Sequence, residues 1–559
     1  MKTRIQNCHR KIKPFLSGLK RYKKIVFHRV AMRQLYKRGK KIKKAGSETL
    51  FWVPGGMPLM LNVESAIAAA LRLRGSGVHA VICDGVFVAC VRREIKDKQP
   101  ISRWQETCAA CKRDCATVLE EMAIPYSFIG DYVPEQTAME LRKIAAGTTW
   151  GNLEGLFYGE INVGKNAKSA VLRYLHGHSF PSDLSIVREY AFSALVCAAA
   201  AENAIKQIAP ARIMMSHGTY VDWGPALHTA LARKIPVVAW MASYLPARFY
   251  FRHVEDGLHI DFHNISHAAW NERSCLALTG DQDKRLDRYL QNRYKQDVSF
   301  DMKRFKEYMG QTDRIRSRYG LDAARPVWGI MTHINWDTVS DYAPMIYESF
   351  NAWVIDTIHE IKNIDHVQWI IKVHPAEAWD NPDSGVECLI NKHFPILPEH
   401  VRLLPADEDL SPLDFFQMID GGITVYGTAG LESALQGKPV ILAGEAHYGR
   451  KGFTYDAGSQ ASYRELLNKT SSLPPLNEEQ RELARRYAYC YFIQRQIPIS
   501  VVRDPQSKWW SFQFDKKDLL LEKRDPAIDF VCEKIMDEKD FIMDEQLLRL
   551  ADENMDVRA

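Results

Sequence analysis

Gly427, Thr428, Ala429 and Gly430 stand between an apolar run, GGITVY, and a helical pattern, LESALQG. Residues without bulk let a phosphate approach the backbone. The helix that follows offers free N–H groups and the positive end of its dipole. Thr428 adds a hydroxyl donor. Glu432, read as lying in the helix's first turn, suits a ribose, whose paired hydroxyls a carboxylate accepts. Phosphate and ribose together describe a nucleotide. The same residues also describe a plain tight turn with a helix-stabilising acid.

Three neighbouring loops favour the nucleotide. IIKVHPAE puts Lys372, His374, Pro375 and Glu377 at the end of an apolar run. MTHINWD supplies Thr332, His333, Asn335, Trp336 and Asp337, which are donors and one aromatic face. GEAHYGRKGFTYD supplies His447, Tyr448, Arg450 and Lys451. Each loop alone reads as solvated or structural, but four polar loops after four apolar runs form a pattern.

Two other groups of residues have chemical potential. In SHGTYVDWG, His217 has the chemistry of a general base for an acceptor hydroxyl, and Asp222 that of a nucleophile or a stabiliser of an oxocarbenium-like centre. Tyr220 offers a ring to a sugar, although a polar turn with a satisfied histidine also fits. Cys83, Cys90, Cys108, Cys111 and Cys115 fall within 33 residues, the last three on one helical face. Their spacing fits a structural zinc or iron–sulfur cluster on Cys90, Cys108 and Cys111, with Cys83 or Cys115 as fourth ligand. It fits buried apolar thiols equally well.

Elements that would position these residues are visible as alternating patterns. LFWVPGG, HAVICDG, RIMMSHG and IPVVAW read as strands with helices between them. A charged helical stretch over 271–322 follows. A second βα series then begins with PVWGIMTHINWD. Alternation of this kind implies parallel sheets with ligands beyond the C-terminal strand ends. The expected divisions are a basic tail 1–46, a first Rossmann-like domain 47–270, a helical linker 271–322, a nucleotide-binding domain 323–475 and a helical segment 476–559.

At 559 residues the chain calls for two main domains, and its 46% hydrophobic and 25% charged content is globular. No apolar run is long enough to span a bilayer and no secretory leader is recognisable, so a cytoplasmic protein is expected. Residues 1–46 hold 17 of the 74 Lys and Arg and none of the 68 Asp and Glu, so the remainder is net acidic. Within this tail Phe15, Leu19, Tyr22, Val26 and Val30 recur at helical spacing, which suits an anionic membrane surface. A solvated arm or a non-specific nucleic-acid contact are the alternatives; no specific nucleic acid is expected.

Taken together, INWDT, IIKVHPAE, TVYGTAGLESALQGKPVILAGEAHYGRKGFTYD, VICDG, SHGTY and IPVVAW resemble the capsule polysaccharide biosynthesis family, which includes capsule Kdo transferases. The likeness is clearest over about 325–470. It implies a GT-B fold of two facing Rossmann-like domains, with the nucleotide on the second and the acceptor mainly on the first. His374 and Pro375 match the family's donor-binding pair, Gly430 and Glu432 its glycine–glutamate pair, and Lys438 and Pro439 the end of that helix. The resemblance implies a glycosyltransferase of capsule or surface polysaccharide. Its donor would be a CMP-, UDP- or GDP-sugar, its acceptor a glycan or glycolipid, and its place the inner membrane face. Catalysis would need no cofactor. Alternatives are a sugar-nucleotide epimerase, a polyol-phosphate transferase, or a non-catalytic export partner of the same fold.

Overall fold

The computed structural model describes residues 21–41, 48–54, 58–91, 104–179, 185–256, 263–295, 309–380, 382–503 and 511–553. In the first half, strands β1 (Thr49–Val53), β2 (Val78–Ile82), β3 (Tyr126–Phe128), β4 (Arg212–Ser216), β5 (Val237–Ala242) and β6 (Arg248–Val254) form one sheet. The second sheet contains β7 (Val327–Met331), β8 (Gln368–Lys372), β9 (Val401–Leu404), β10 (Gly421–Thr424), β11 (Val440–Leu442) and β12 (Tyr455–Asp456). Its order is β9-β8-β7-β10-β11-β12 and every pairing is parallel. All of the strands expected from the alternation are present. Two apolar cores result, one of which is confined to the outer face of the second sheet.

Two elements depart from the expected divisions. Strand β13 (Ile497–Pro498) pairs antiparallel with β6 and completes the first sheet as β13-β6-β5-β4-β1-β2-β3. The C-terminal segment is therefore not an appendage. Ile497, Ile499 and Val501 are buried in the first domain's core.

The other departure concerns the basic tail. Residues 21–36 form helix α1, whose Ile25, Met32 and Leu35 are buried. His28 stacks on Phe514 at 3.6 Å, and the Tyr36 hydroxyl donates to the Met122 carbonyl at 2.7 Å. Arg21 pairs with Asp114, and Arg38 with Asp518. This part of the segment is thus docked on the body. The buried stripe is not the one expected: Tyr22 and Val30 are 63% and 47% exposed, while Phe15 and Leu19 lie outside the described residues.

Helices α2 (Pro58–Leu73), α3 (Trp104–Met122), α4 (Ser185–Ile208) and α5 (Tyr220–Ala232) pack around the first sheet, and α6 (Gly280–Tyr294) leads toward the second domain. In the second domain α7 (Phe350–Ile361) follows β7, and α8 (Thr428–Leu435) joins β10 to β11. Helix α9 (Glu478–Tyr489) packs on α8 of the second domain and on α6, and α10 (Pro526–Asp537) packs on α2 of the first domain. Among the described residues no helix is long and apolar enough to cross a membrane.

Candidate active site

The parallel β7, β8, β9 and β10 bring their C-terminal ends to one edge of the second sheet, and there the loops enclose a cavity of about 510 Å³. A drug-sized ligand occupies roughly 300–1,000 Å³. Lys372, His374, Pro375, Thr428 and Glu432 all line it, as the motif argument requires. Two residues from outside the second domain complete the wall: Tyr244, from the β5–β6 turn, and Arg293, from the end of α6.

Several contacts hold the polar wall in place. The Thr332 hydroxyl donates to the Lys372 carbonyl at 3.2 Å and accepts from the His374 N–H at 3.1 Å, tying β7 to β8. Nδ1 of His374 accepts from the Ala376 N–H at 3.1 Å, which leaves Nε2 as that ring's donor. His333 is stacked on Phe350 with ring centroids 4.7 Å apart. Its Nε2 accepts from the Tyr426 N–H at 3.1 Å. Burial, with His374 adding to it, pushes the His333 pKa down to about 3, so this imidazole is neutral. The Thr428 hydroxyl meets the Tyr244 hydroxyl at 3.1 Å, and this contact joins the two domains.

Glu432 is placed differently from the expectation. Gly427 is the N-cap of α8, so Glu432 falls in the second turn. Its Oε1 accepts from Arg293 Nη2 at 2.8 Å, and the two side chains are only 6% and 4% exposed. Gly430 also has a reason of its own. A Cβ there would stand 2.0 Å from the Tyr448 hydroxyl, which donates to the Gly427 carbonyl at 2.6 Å. The GKP element closes the helix: Gly437 has φ +74°, and the Lys438 N–H donates to the Ser433 carbonyl at 3.2 Å.

The remaining candidates lie outside the cavity wall. Asn335 spans loops instead, donating to the Ser384 carbonyl at 2.9 Å and to Asn351 at 3.2 Å. Lys451 is buried beside Arg252, and burial holds its pKa below the ordinary lysine value. Glu377 accepts from the Val386 N–H at 2.9 Å, a cap on the next helix, and burial raises its pKa to about 7.

The first-domain cluster is gathered, but it is closed over. Tyr220 lies against the domain interface, hydrogen-bonded to Asp341 and Asp337, and His217 and Asp222 are buried beside it in the first domain. His217 Nδ1 accepts from the Thr219 N–H at 3.2 Å, so Nε2 carries the proton. Burial, then Arg173, lowers the His217 pKa to about 3. In this state the ring is neutral and its Nε2 a donor. Tyr220 cannot stack on a sugar here: Arg173 lies 4.8 Å from its ring centroid, and its hydroxyl is held by Arg173 and Asp337. The Asp222 carboxylate accepts from the Val91 N–H at 3.2 Å. Glu64 is also internal, accepting from Trp240 Nε1 at 3.0 Å.

The cysteines are not assembled as a metal site. Among the described residues, no three or more His, Cys, Asp or Glu side chains converge to hold a metal ion. The i, i+3, i+7 spacing of Cys108, Cys111 and Cys115 follows α3, where Cys115 turns into the apolar core. Burial pushes the Cys83 thiol up to about 12. Cys90, Cys108 and Cys111 are partly buried against the same core.

Arg293 and Tyr244 are among the lining residues that the motifs did not reveal, and they come from outside the second domain. Arg293 sits in a run of charged residues, DKRLDRYLQNRYKQ, in which nothing distinguishes one arginine from the next. Only the return of α6 to the second sheet singles it out.

Comparison with curated proteins finds no match. Among solved structures, the chain is similar to the beta Kdo 2,4 transferase of KpsC from Thermosulfurimonas dismutans, at 15% identity and TM-score 0.35, over 56% of this chain and 87% of that one. The beta Kdo 2,7 transferase of the same protein gives 10%, TM-score 0.30, and 51% and 79%. UDP-GlcNAc 2-epimerase from Neisseria meningitidis, bound to UDP-GlcNAc, gives 12%, TM-score 0.25, and 79% and 95%. A family match covers residues 346–474, which include β8 through β12, α8, His374 and Glu432, under the description capsule polysaccharide biosynthesis protein. Over those residues, about a quarter of the chain, the sequence is similar to the capsule polysaccharide biosynthesis family.

Proposed function

We propose that the protein is a glycosyltransferase of capsule or surface-polysaccharide synthesis that takes its sugar from a nucleotide-sugar donor. The observation that carries this reading is the cavity at the C-terminal strand ends of the family-matched domain, walled by Lys372, His374, Thr428 and Arg293. Cationic and N–H donors suit a phosphate. The start of α8 adds partial positive charge. A Kdo-like sugar on CMP is one donor within this reading, and UDP- and GDP-sugars are others. The acceptor, a glycan or glycolipid, enters from the first-domain side, where Tyr244 stands. For His217 to meet that acceptor, the domains must first part.

The test is a thermal-shift panel of CMP, UDP, GDP and CDP on the full chain, followed by assay of released nucleotide with the sugar form of whichever binds. One nucleotide should raise the melting temperature. His374→Ala should weaken it about tenfold, the loss of one charge-assisted hydrogen bond. If no nucleotide shifts the melt, the reading fails. Binding without turnover across a panel of acceptors would favour a non-catalytic role, and interconversion of the free sugar nucleotide would favour an epimerase.

We further propose attachment to an anionic membrane surface through the outward face of α1. Phe27 and Tyr22 are 72% and 63% exposed there, and Lys23, Arg33 and Lys37 share the exposed side. Aromatic rings among lysines and arginines suit a headgroup layer. The cytoplasmic membrane face fits this reading.

A further inference from the structure

We infer that Arg293 is the phosphate-binding residue of the cavity, reaching it from the helix between the domains and held in position by Glu432. The inference rests on the proposed function only for the identity of the molecule that carries the phosphate. Arg293 is 4% exposed, and Nη2 makes its one ion pair, at 2.8 Å from Glu432. Nε and Nη1 are buried and have no hydrogen-bond partner.

An unsatisfied buried donor is costly, the more so on a charged group, and native structures rarely retain one without a use. Besides Glu432, the Tyr289 hydroxyl also interacts with the guanidinium, while Nε and Nη1 keep no hydrogen bond of good geometry. The rings of Tyr244 and Phe492 lie 4.4 and 5.1 Å from Arg293 Cζ, and aromatic faces accept charge without consuming N–H donors. Glu432 balances the charge and restricts the side chain. The outcome is a pre-oriented cation at the cavity wall, two of whose nitrogens are buried without a hydrogen bond of good geometry. An anion with several oxygens, such as a phosphate, matches that arrangement.

This assignment also changes the role of Glu432. One of its oxygens is committed to Arg293, so it acts at least in part as the residue that positions the arginine. The α8 N-terminus and Thr428 stand on the same wall and add donors to the same anion.

The experiment is calorimetry on the full chain with CMP, UDP, GDP and CDP, with inorganic pyrophosphate, and with the phosphate-free nucleosides cytidine, uridine and guanosine. Arg293→Lys retains the charge and the pairing with Glu432 but cannot supply the Nε and Nη1 donors. It should weaken pyrophosphate and the preferred nucleotide about ten- to a hundred-fold while nucleoside binding stays unchanged. Unchanged nucleotide affinity, or an equal loss for nucleotide and nucleoside, would overturn the assignment and leave the nucleotide reading standing. Pyrophosphate binding that depends on Arg293, with no nucleotide binding more tightly than pyrophosphate, would uphold Arg293 and remove the nucleotide reading. If wild type binds none of the probes, both fall. Should Arg293→Lys not fold, the double variant Arg293→Gln with Glu432→Gln, which leaves no lone buried charge, carries the same comparison.

Discussion

At the scale of single residues, one motif had two explanations, and packing separates them. Gly430 reads in the sequence as a gap for phosphate. In the fold it is the space occupied by the Tyr448 hydroxyl, 2.0 Å from where a Cβ would be. Gly430→Ala should therefore act first on stability, by about 1–3 kcal/mol for overpacking. Adding Tyr448→Phe should return part of that loss, because the clashing oxygen is gone. Chemical denaturation of the two variants measures it. If Gly430→Ala keeps full stability but loses nucleotide affinity, the close-approach explanation holds instead. His374 and Lys372 were legible because strand-end position and residue type together specify them. Glu432 was legible as a residue but not as a contact, since its partner is 139 positions away. His217, Tyr220 and Asp222 were legible as a cluster, but a sequence carries no sign that another domain will close over it.

At the scale of elements, parallel strands were readable because both faces are buried and their sequences are continuous apolar runs. The strands that escaped notice are those without that signature. β3 has three residues and β13 two, the latter containing Pro498 and standing at the sheet edge. Basic amphipathic spacing identified α1 as a helix but not which side packs. Ile25, His28, Met32 and Leu35 face the body, and Tyr22, Phe27 and Val30 are left outside. This geometry makes the membrane proposal specific. The full chain should sediment with anionic vesicles at low salt and be released near 1 M salt, where the Debye length falls to about 3 Å. Phe27→Ala with Lys23→Gln, both on the outer face, should weaken sedimentation without lowering the melting temperature. Vesicle binding that is unaffected by this pair would show that α1 is not the surface used.

At the scale of the whole molecule, the two domains meet through polar contacts around a strained residue. Tyr220 opens α5 with φ +60°, a left-handed conformation that costs a bulky residue on the order of 1–2 kcal/mol. Asp341 of the second domain compensates by accepting the Tyr220 N–H at 2.7 Å, and it also accepts from Asn166 Nδ2 at 3.0 Å. Burial raises the Asp341 pKa to about 6, so ionising it in this position is unfavourable and the contact is costly to keep closed at neutral pH. Arg173 with Asp337, only partly buried, adds little by comparison. The same seam includes the hydrogen bonds from the Ser384 N–H to the Gly177 carbonyl and from the Ser340 N–H to the Ser169 hydroxyl, and opening it is what would uncover His217 for an acceptor. Asp341→Ala removes both hydrogen bonds while leaving the sheets untouched. Amide exchange over residues 217–222 should then rise, exchange in β7 and β8 should stay as in wild type, and small-angle scattering should report a larger radius of gyration. The strain at Tyr220 predicts the direction: once its N–H is released, the backbone gains by leaving φ +60°, so closure loses support from both sides. Unaltered exchange at 217–222 would mean that the first domain alone enforces this conformation, and that the His217 cluster is a fixed part of its interior.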